Sequence, residues 1–137
     1  MFNHHDITRN ACMLHGALAR HGYDWWWHSF TAQDAETGED KPFFIEFFLC
    51  NPALAEDDPV LGQLPANQKA GKKPSYLMVK AGTWGEDACQ LHRFFAWKDV
   101  NMHGDAPYQI EAADCLACET ALKGKISVTP EEAAAHP

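Results

Sequence analysis

The sequence predicts an all-β protein, an antiparallel sheet that curls into a barrel or a sandwich, and three observations carry that expectation. After Gly22 the chain runs as short stretches rich in aromatic and β-branched residues: 25–31, 43–51, 75–81, 91–98, 108–112, 115–120 and 125–129. The separators ETGEDKP, NPALAEDDP, QKAGKKP and NMHGDAP each set Gly or Pro beside charges, which is turn chemistry. Little of the chain has helical periodicity, and many short strands with turn signals build closed or double-layered sheets.

The first element is the exception. Ile7, Ala11, Leu14 and Leu18 fall at helical intervals between a capping Asp6 or Thr8 and a stop at Gly22, so residues 7–21 read as a short N-terminal helix or an ordered arm. The next stretch holds Trp25, Trp26 and Trp27 in succession. Side chains alternate across a strand, so Trp25 and Trp27 point one way and Trp26 and His28 the other, and three tryptophans need apolar cover on both faces of the sheet. The second stretch repeats the pattern, with Phe44, Glu46 and Phe48 on one face and Phe43, Ile45, Phe47 and Leu49 on the other. One face is expected to line an interior. The other is expected to meet a helix, a domain or a subunit, which is what large exposed apolar patches usually mark. Segment 51–74 carries Pro52, Pro59, Gly62, Pro65 and Gly71 with Leu54, Val60, Leu61 and Leu64, and reads equally as a lid over an opening or as a packed rim loop.

With 137 residues the chain is read as one domain, 1–137. Its net charge of -8 argues against nucleic acid or an anionic membrane surface as the main partner, and a neutral or weakly polar ligand fits better. No apolar run approaches the roughly 20 residues of a membrane span, and the first residues lack the apolar stretch of a secretory signal, so no membrane insertion and a cytoplasmic location are expected. The five cysteines, 12, 50, 89, 115 and 118, are odd in number and are expected to be reduced, mostly buried thiols. Cys115 and Cys118 form a lone C-x-x-C whose members a strand would point to opposite faces, and His4, His5 and His15 form no convincing ligand set. No metal and no cofactor are expected. Phosphate-loop, dinucleotide and serine-hydrolase motifs are absent from the sequence.

The run from Gly22 to Phe30, with Phe44-Ile45-Glu46-Phe47-Phe48 and Pro74-Ser75-Tyr76-Leu77-Met78-Val79-Lys80-Ala81-Gly82, resembles the amino-terminal half of the tocopherol cyclase and carotenoid hydratase (hydroxyneurosporene synthase) superfamily. The likeness spans residues 20–130, and its sharp piece is the aromatic triplet. It implies a lipocalin-like (calycin-type) barrel, complete or incomplete, that corresponds to the first of two tandem lobes. It also implies chemistry of the cyclase or hydratase kind, a lyase or isomerase acting on an isoprenoid or polyketide-like substrate.

Such chemistry begins by protonating carbon. Glu46 is the candidate acid, because flanking phenylalanines desolvate its carboxyl and desolvation raises a carboxyl pKa. His92 is the second candidate catalytic group if it shares that face. Trp25, Trp27, Phe44, Phe48, Tyr76 and Phe94 are the candidate ligand-binding residues, whose ring faces stabilise cations. Against this, a strand glutamate also serves as half of an ion pair, here with Lys80 or Arg93, and a strand histidine is often structural. Two functions therefore stand open: an apolar-ligand binder with proton-assisted cyclisation or hydration, and a non-catalytic barrel whose aromatic outer face joins a second lipocalin-like lobe or a second copy in a homodimer.

Overall fold

A computed structural model describes residues 6–126 apart from 55, 63 and 87. The described chain is all-β in its main elements. Strands β1 (Tyr23–Gln33), β2 (Asp40–Cys50), β3 (Tyr76–Thr83) and β4 (Gln90–Phe95) form one antiparallel meander in the order β1-β2-β3-β4. Strands β5 (Val100–His103), β6 (Gln109–Ala112), β7 (Cys115–Cys118) and β8 (Leu122–Lys123) form a second meander in the order β5-β6-β7-β8. Neither sheet closes on itself among the described residues, so the architecture is two open sheets.

The two sheets share one core. Phe47, Leu49, Leu77, Val79 and Phe95 from the first meet Ile110, Ala112, Cys115 and Ala117 from the second, together with Tyr108 just before β6. The bulk sits on the first sheet and the small residues on the second, which lets the layers interdigitate. Arg93 ties them at one margin: its guanidinium binds the Asp114 carboxylate and donates to the carbonyl of Lys125, while lying 4.9 Å from the Phe95 ring centre.

The amino-terminal segment is an arm, not a continuous helix. It makes a 3-10 turn at Ile7–Asn10 and one helical turn, α1, at Leu18–His21. Gly16, at φ 56°, lies between them in the left-handed region. Of the residues whose spacing suggests a helix, Leu14 is buried, beside Cys12, while Ile7 and Leu18 are exposed, and the backbone there bonds outward: Cys12 N–H donates to the Gly104 carbonyl and Met13 N–H to the Asp24 carboxylate.

Two other expectations change. Residues 101–107 read as a turn, yet Val100–His103 is a strand whose Val100 and Met102 pack on the core. The stretch 91–98 stops at Phe95 and passes into a 3-10 turn at Trp97–Asp99. Of the expected strand 125–129, residues 127–129 lie outside the described residues, as do His4, His5 and the segment after residue 126; the last described strand is β8.

The segment after β2 is a packed rim. It holds the short helix α2 (Pro65–Lys69) and a bridge between Val60 and Ser75. Asn51 fixes its base. In the left-handed conformation (φ 45°), Asn51 accepts from Gly22 N–H at 2.8 Å and donates from Nδ2 to the Pro74 carbonyl at 2.7 Å, joining the start of β1, the end of β2 and the entry to β3. The Ser75 hydroxyl completes the joint on the carbonyls of Asn51 and Leu54. All five cysteines are free; Cys12, Cys50 and Cys115 are buried, Cys118 is half-buried and Cys89 exposed.

Candidate functional site

Register decides what shares a face. Residues directly opposite in an antiparallel pair point to the same side. The first sheet therefore presents two complete cross-strand rows on its outer side: Trp25, Phe48, Met78, Phe94, and then Trp27, Glu46, Lys80, His92. Tyr23, Cys50 and Tyr76 form a row at one end, and Ser29, Phe44, Gly82 and Gln90 a row at the other. All eight candidate residues, Glu46, His92, Trp25, Trp27, Phe44, Phe48, Tyr76 and Phe94, thus stand on one face, the one turned away from the second sheet.

The aromatic rings on that face stack on one another. Tyr23, Trp25 and Phe48 form a triangle of near-parallel rings, with centres 6.0, 6.3 and 5.5 Å apart and planes within 18°. Trp27 stacks on Phe44 at 4.4 Å. Phe44 is only 2 % exposed because Trp27 covers one side and Trp84 another, and because Gly82 beneath it has no side chain: a Cβ there would lie 2.8 Å from two Phe44 ring carbons. Tyr76 meets Phe94 edge-on and Phe94 stacks with His92. The face is nonetheless open. Trp25 is 49 % and Trp27 44 % exposed, with Tyr23 and Trp84 exposed beside them.

Charge enters this surface at one row. Burial pushes the Glu46 carboxyl up from its ordinary pKa, and neighbouring Lys80 partly offsets that. The Lys80 ammonium lies 5.5 Å from the Phe44 ring centre. Desolvation, helped by Lys80, lowers the His92 pKa, which keeps its ring neutral at pH 7. Glu46 and His92 share a row but are not neighbours in it, since Lys80 stands between them in register.

A raised carboxyl pKa has a defined signature. Its stabilising contribution is full below the unfolded-state pKa and declines as pH rises through the folded value. Glutamine does not titrate, so Glu46→Gln is expected to match or exceed wild-type stability at pH 7 and to lose that advantage by about pH 4. Thermal melts at the two pH values check this; a variant less stable than wild type at pH 7 means that the attraction of Lys80 outweighs desolvation.

The middle tryptophan faces inward. Trp26 stacks on Tyr108, just before β6, at 4.4 Å and donates from its indole to the Asn10 carbonyl of the arm. Burial, with Glu119 and Cys118 nearby, pushes the Tyr108 hydroxyl up to about 12. His28 shares this inner side, where its Nε2 is buried without a hydrogen-bond partner and desolvation lowers its pKa.

Three concavities lie beside these rows, one of about 350 Å³ at the end of β1 and β2, bordered by His21, Gly22, Tyr23, Cys50, Asn51 and Pro74. A cleft of about 460 Å³ runs along the β1 edge, bordered by Arg9, Met13, Asp24, Trp26, His28 and Glu119, with Trp25 and Trp27 at its lip. A smaller apolar cleft of about 170 Å³ opens between the sheets at Ile45, Ala81, Leu91, Leu122 and Ile126. None of these encloses Glu46, Lys80 or His92. Among the described residues no group of three His, Cys, Asp or Glu side chains is placed to hold a metal ion, and no helix is long and apolar enough to cross a membrane.

Sequence reasoning leaves out Tyr23, Met78 and Trp84. Tyr23 and Met78 continue the period-two pattern of Trp25 and Tyr76; Met78 lies within the expected strand 75–81, and extending 25–31 by two residues would include Tyr23. Trp84 lies just beyond β3, where alternation no longer predicts direction. Comparison of the chain with protein-family models, curated proteins and solved structures finds no match.

Proposed function

We propose that the protein is a non-catalytic β-sheet binding module whose outer aromatic face associates with another apolar surface. One observation carries this: Tyr23, Trp25, Trp27 and Trp84 stand exposed side by side on the face that the chain's own second sheet leaves uncovered. A large aromatic side chain buries about 150–250 Å². The half-exposed Trp25 and Trp27 each leave on the order of 100 Å² of apolar surface in water, so covering each is worth about 2.5 kcal/mol. Clustered tryptophans are also the residues that dominate association energies.

An anilinonaphthalene dye, which brightens on apolar surface, tests the reading in dilute folded protein. The wild type is expected to bind it, and Trp25→Glu, which places a charge at an exposed position, is expected to lose most of the signal while its melting temperature stays within the equivalent of about 1 kcal/mol. An unchanged dye signal in that variant would remove the face from the function.

A second reading is favoured by the raised Glu46 carboxyl among aromatic rings. A further β layer laid over the face would turn it into a lipocalin-like cavity walled by Trp25, Phe48, Tyr76 and Phe94, with Glu46 as proton donor to an isoprenoid or polyketide-like double bond. In that reading Glu46→Gln abolishes turnover and leaves the fold intact.

A further inference from the structure

We propose that the outer face of the first sheet docks onto a second copy of this chain, with a two-fold axis parallel to the strands and running between β2 and β3. The inference rests on the association reading above and adds the occupant and the register. The order of charges in one row carries it. From β1 to β4 that row reads Trp27, Glu46, Lys80, His92.

A two-fold axis parallel to the strands keeps each residue at its height and reverses the order of the strands. Strand β2 of one copy then lies over β3 of the other, so Glu46 faces Lys80 of the second copy and Lys80 faces its Glu46. One row supplies two reciprocal ion pairs, as a self-complementary interface requires. The same operation sets Trp25 over Phe94, Phe48 over Met78, and Trp27 over the His92 ring. Apart from the two Glu46–Lys80 pairs, apolar groups meet apolar or aromatic ones in both rows.

The competing face-to-face arrangement does not achieve this. A two-fold axis in the interface but perpendicular to the strands lays β2 over β2 and β3 over β3. Centred on the charged row, it stacks Glu46 on Glu46 and Lys80 on Lys80; displaced by one row, it buries Glu46 against Phe48. Like charges in contact and unpaired buried charges both disfavour association. Packed sheets cross at about 30°, and residues nearest the axis move least under that rotation. Glu46 and Lys80 sit on the two central strands, so their pairing tolerates the crossing.

Sedimentation equilibrium over a concentration series reads the outcome. The wild type is expected to dimerise. Glu46→Lys places lysine over lysine at both pair positions and Lys80→Glu places glutamate over glutamate, so each single variant is expected to weaken the dimer by at least about tenfold. The double variant Glu46→Lys/Lys80→Glu restores opposite charges in reversed order and is expected to return the dissociation constant to within a few-fold of wild type. Circular dichroism confirms that all three fold. A wild type that stays monomeric to about 100 µM, single variants that dimerise as well as wild type, or a double variant no better than the singles would each overturn the second copy as occupant. Dye binding separates the two levels: a monomeric wild type whose dye signal is lost in Trp25→Glu keeps the face and removes the copy, whereas a signal insensitive to Trp25→Glu removes both.

Discussion

Phe47→Ala is expected to lower stability by about 3–5 kcal/mol, the cost of emptying a fully packed phenylalanine site. Phe47 is 1 % exposed, pairs with Trp26 and Val79 across the sheet, and projects into the core shared with the second sheet. A domain of this size is stable by about 5–15 kcal/mol, so the loss is a large part of the total. Its neighbour Phe48 provides the control, because the next residue on a strand points to the opposite face and Phe48 lies on the open aromatic side. Phe48→Ala removes ring contacts but empties no core site, and is expected to cost clearly less. Urea unfolding of both variants, read as midpoint shifts at unchanged slope, makes the comparison. Equal shifts would mean that the second sheet does not cover the Phe47 side.

Asn51→Asp is the second large effect, about 2–4 kcal/mol of destabilisation at pH 7, because it strips a donor from a buried joint at nearly constant shape. Asn51 is 7 % exposed and holds two loops at once. An aspartate keeps the acceptor for Gly22 N–H, but sets a carboxylate oxygen against the Pro74 carbonyl, 2.7 Å from the atom it replaces. Two acceptors at that distance repel unless a proton lies between them. The folded state therefore raises the new carboxyl's pKa, and a raised pKa means stability that is present at low pH and lost as pH rises through the folded value. The deficit relative to wild type is expected to shrink towards pH 4. A deficit that grows on acidification would show that the joint does not need the Asn51 donor.

Much of the surface geometry is legible in the sequence because strand alternation is local. The spacing of Trp25 and Trp27, of Phe44, Glu46 and Phe48, and of His92 and Phe94 gives each set a common side before any pairing is known. The amino-terminal arm is less legible. Of its apolar residues at helical intervals only Leu14 is buried, while Ile7 and Leu18 stay exposed, because backbone donors at Cys12 and Met13 find acceptors in Gly104 and Asp24 and a helix would forgo them. Strand β5 is hidden because Gly104 and Pro107 beside it read as turn chemistry, and the turn they make is the short connection across which β5 pairs with β6.

By itself the sequence determined that the chain is built from β-strands and that Trp25–Trp27 and Phe43–Leu49 are apolar on both sides. It did not determine which side is the core. Apolar residues on both faces make the two choices equivalent to any local rule, and the choice fell to the second meander, whose small residues Ala112, Cys115 and Ala117 fit the Phe47 side. The Phe44 side, carrying Glu46 and Lys80, stayed open because charge is costly to bury without a partner. Whether the sheets close is likewise a matter of edge pairing between distant segments, and here tertiary structure left two open sheets with an aromatic face between their edges and water.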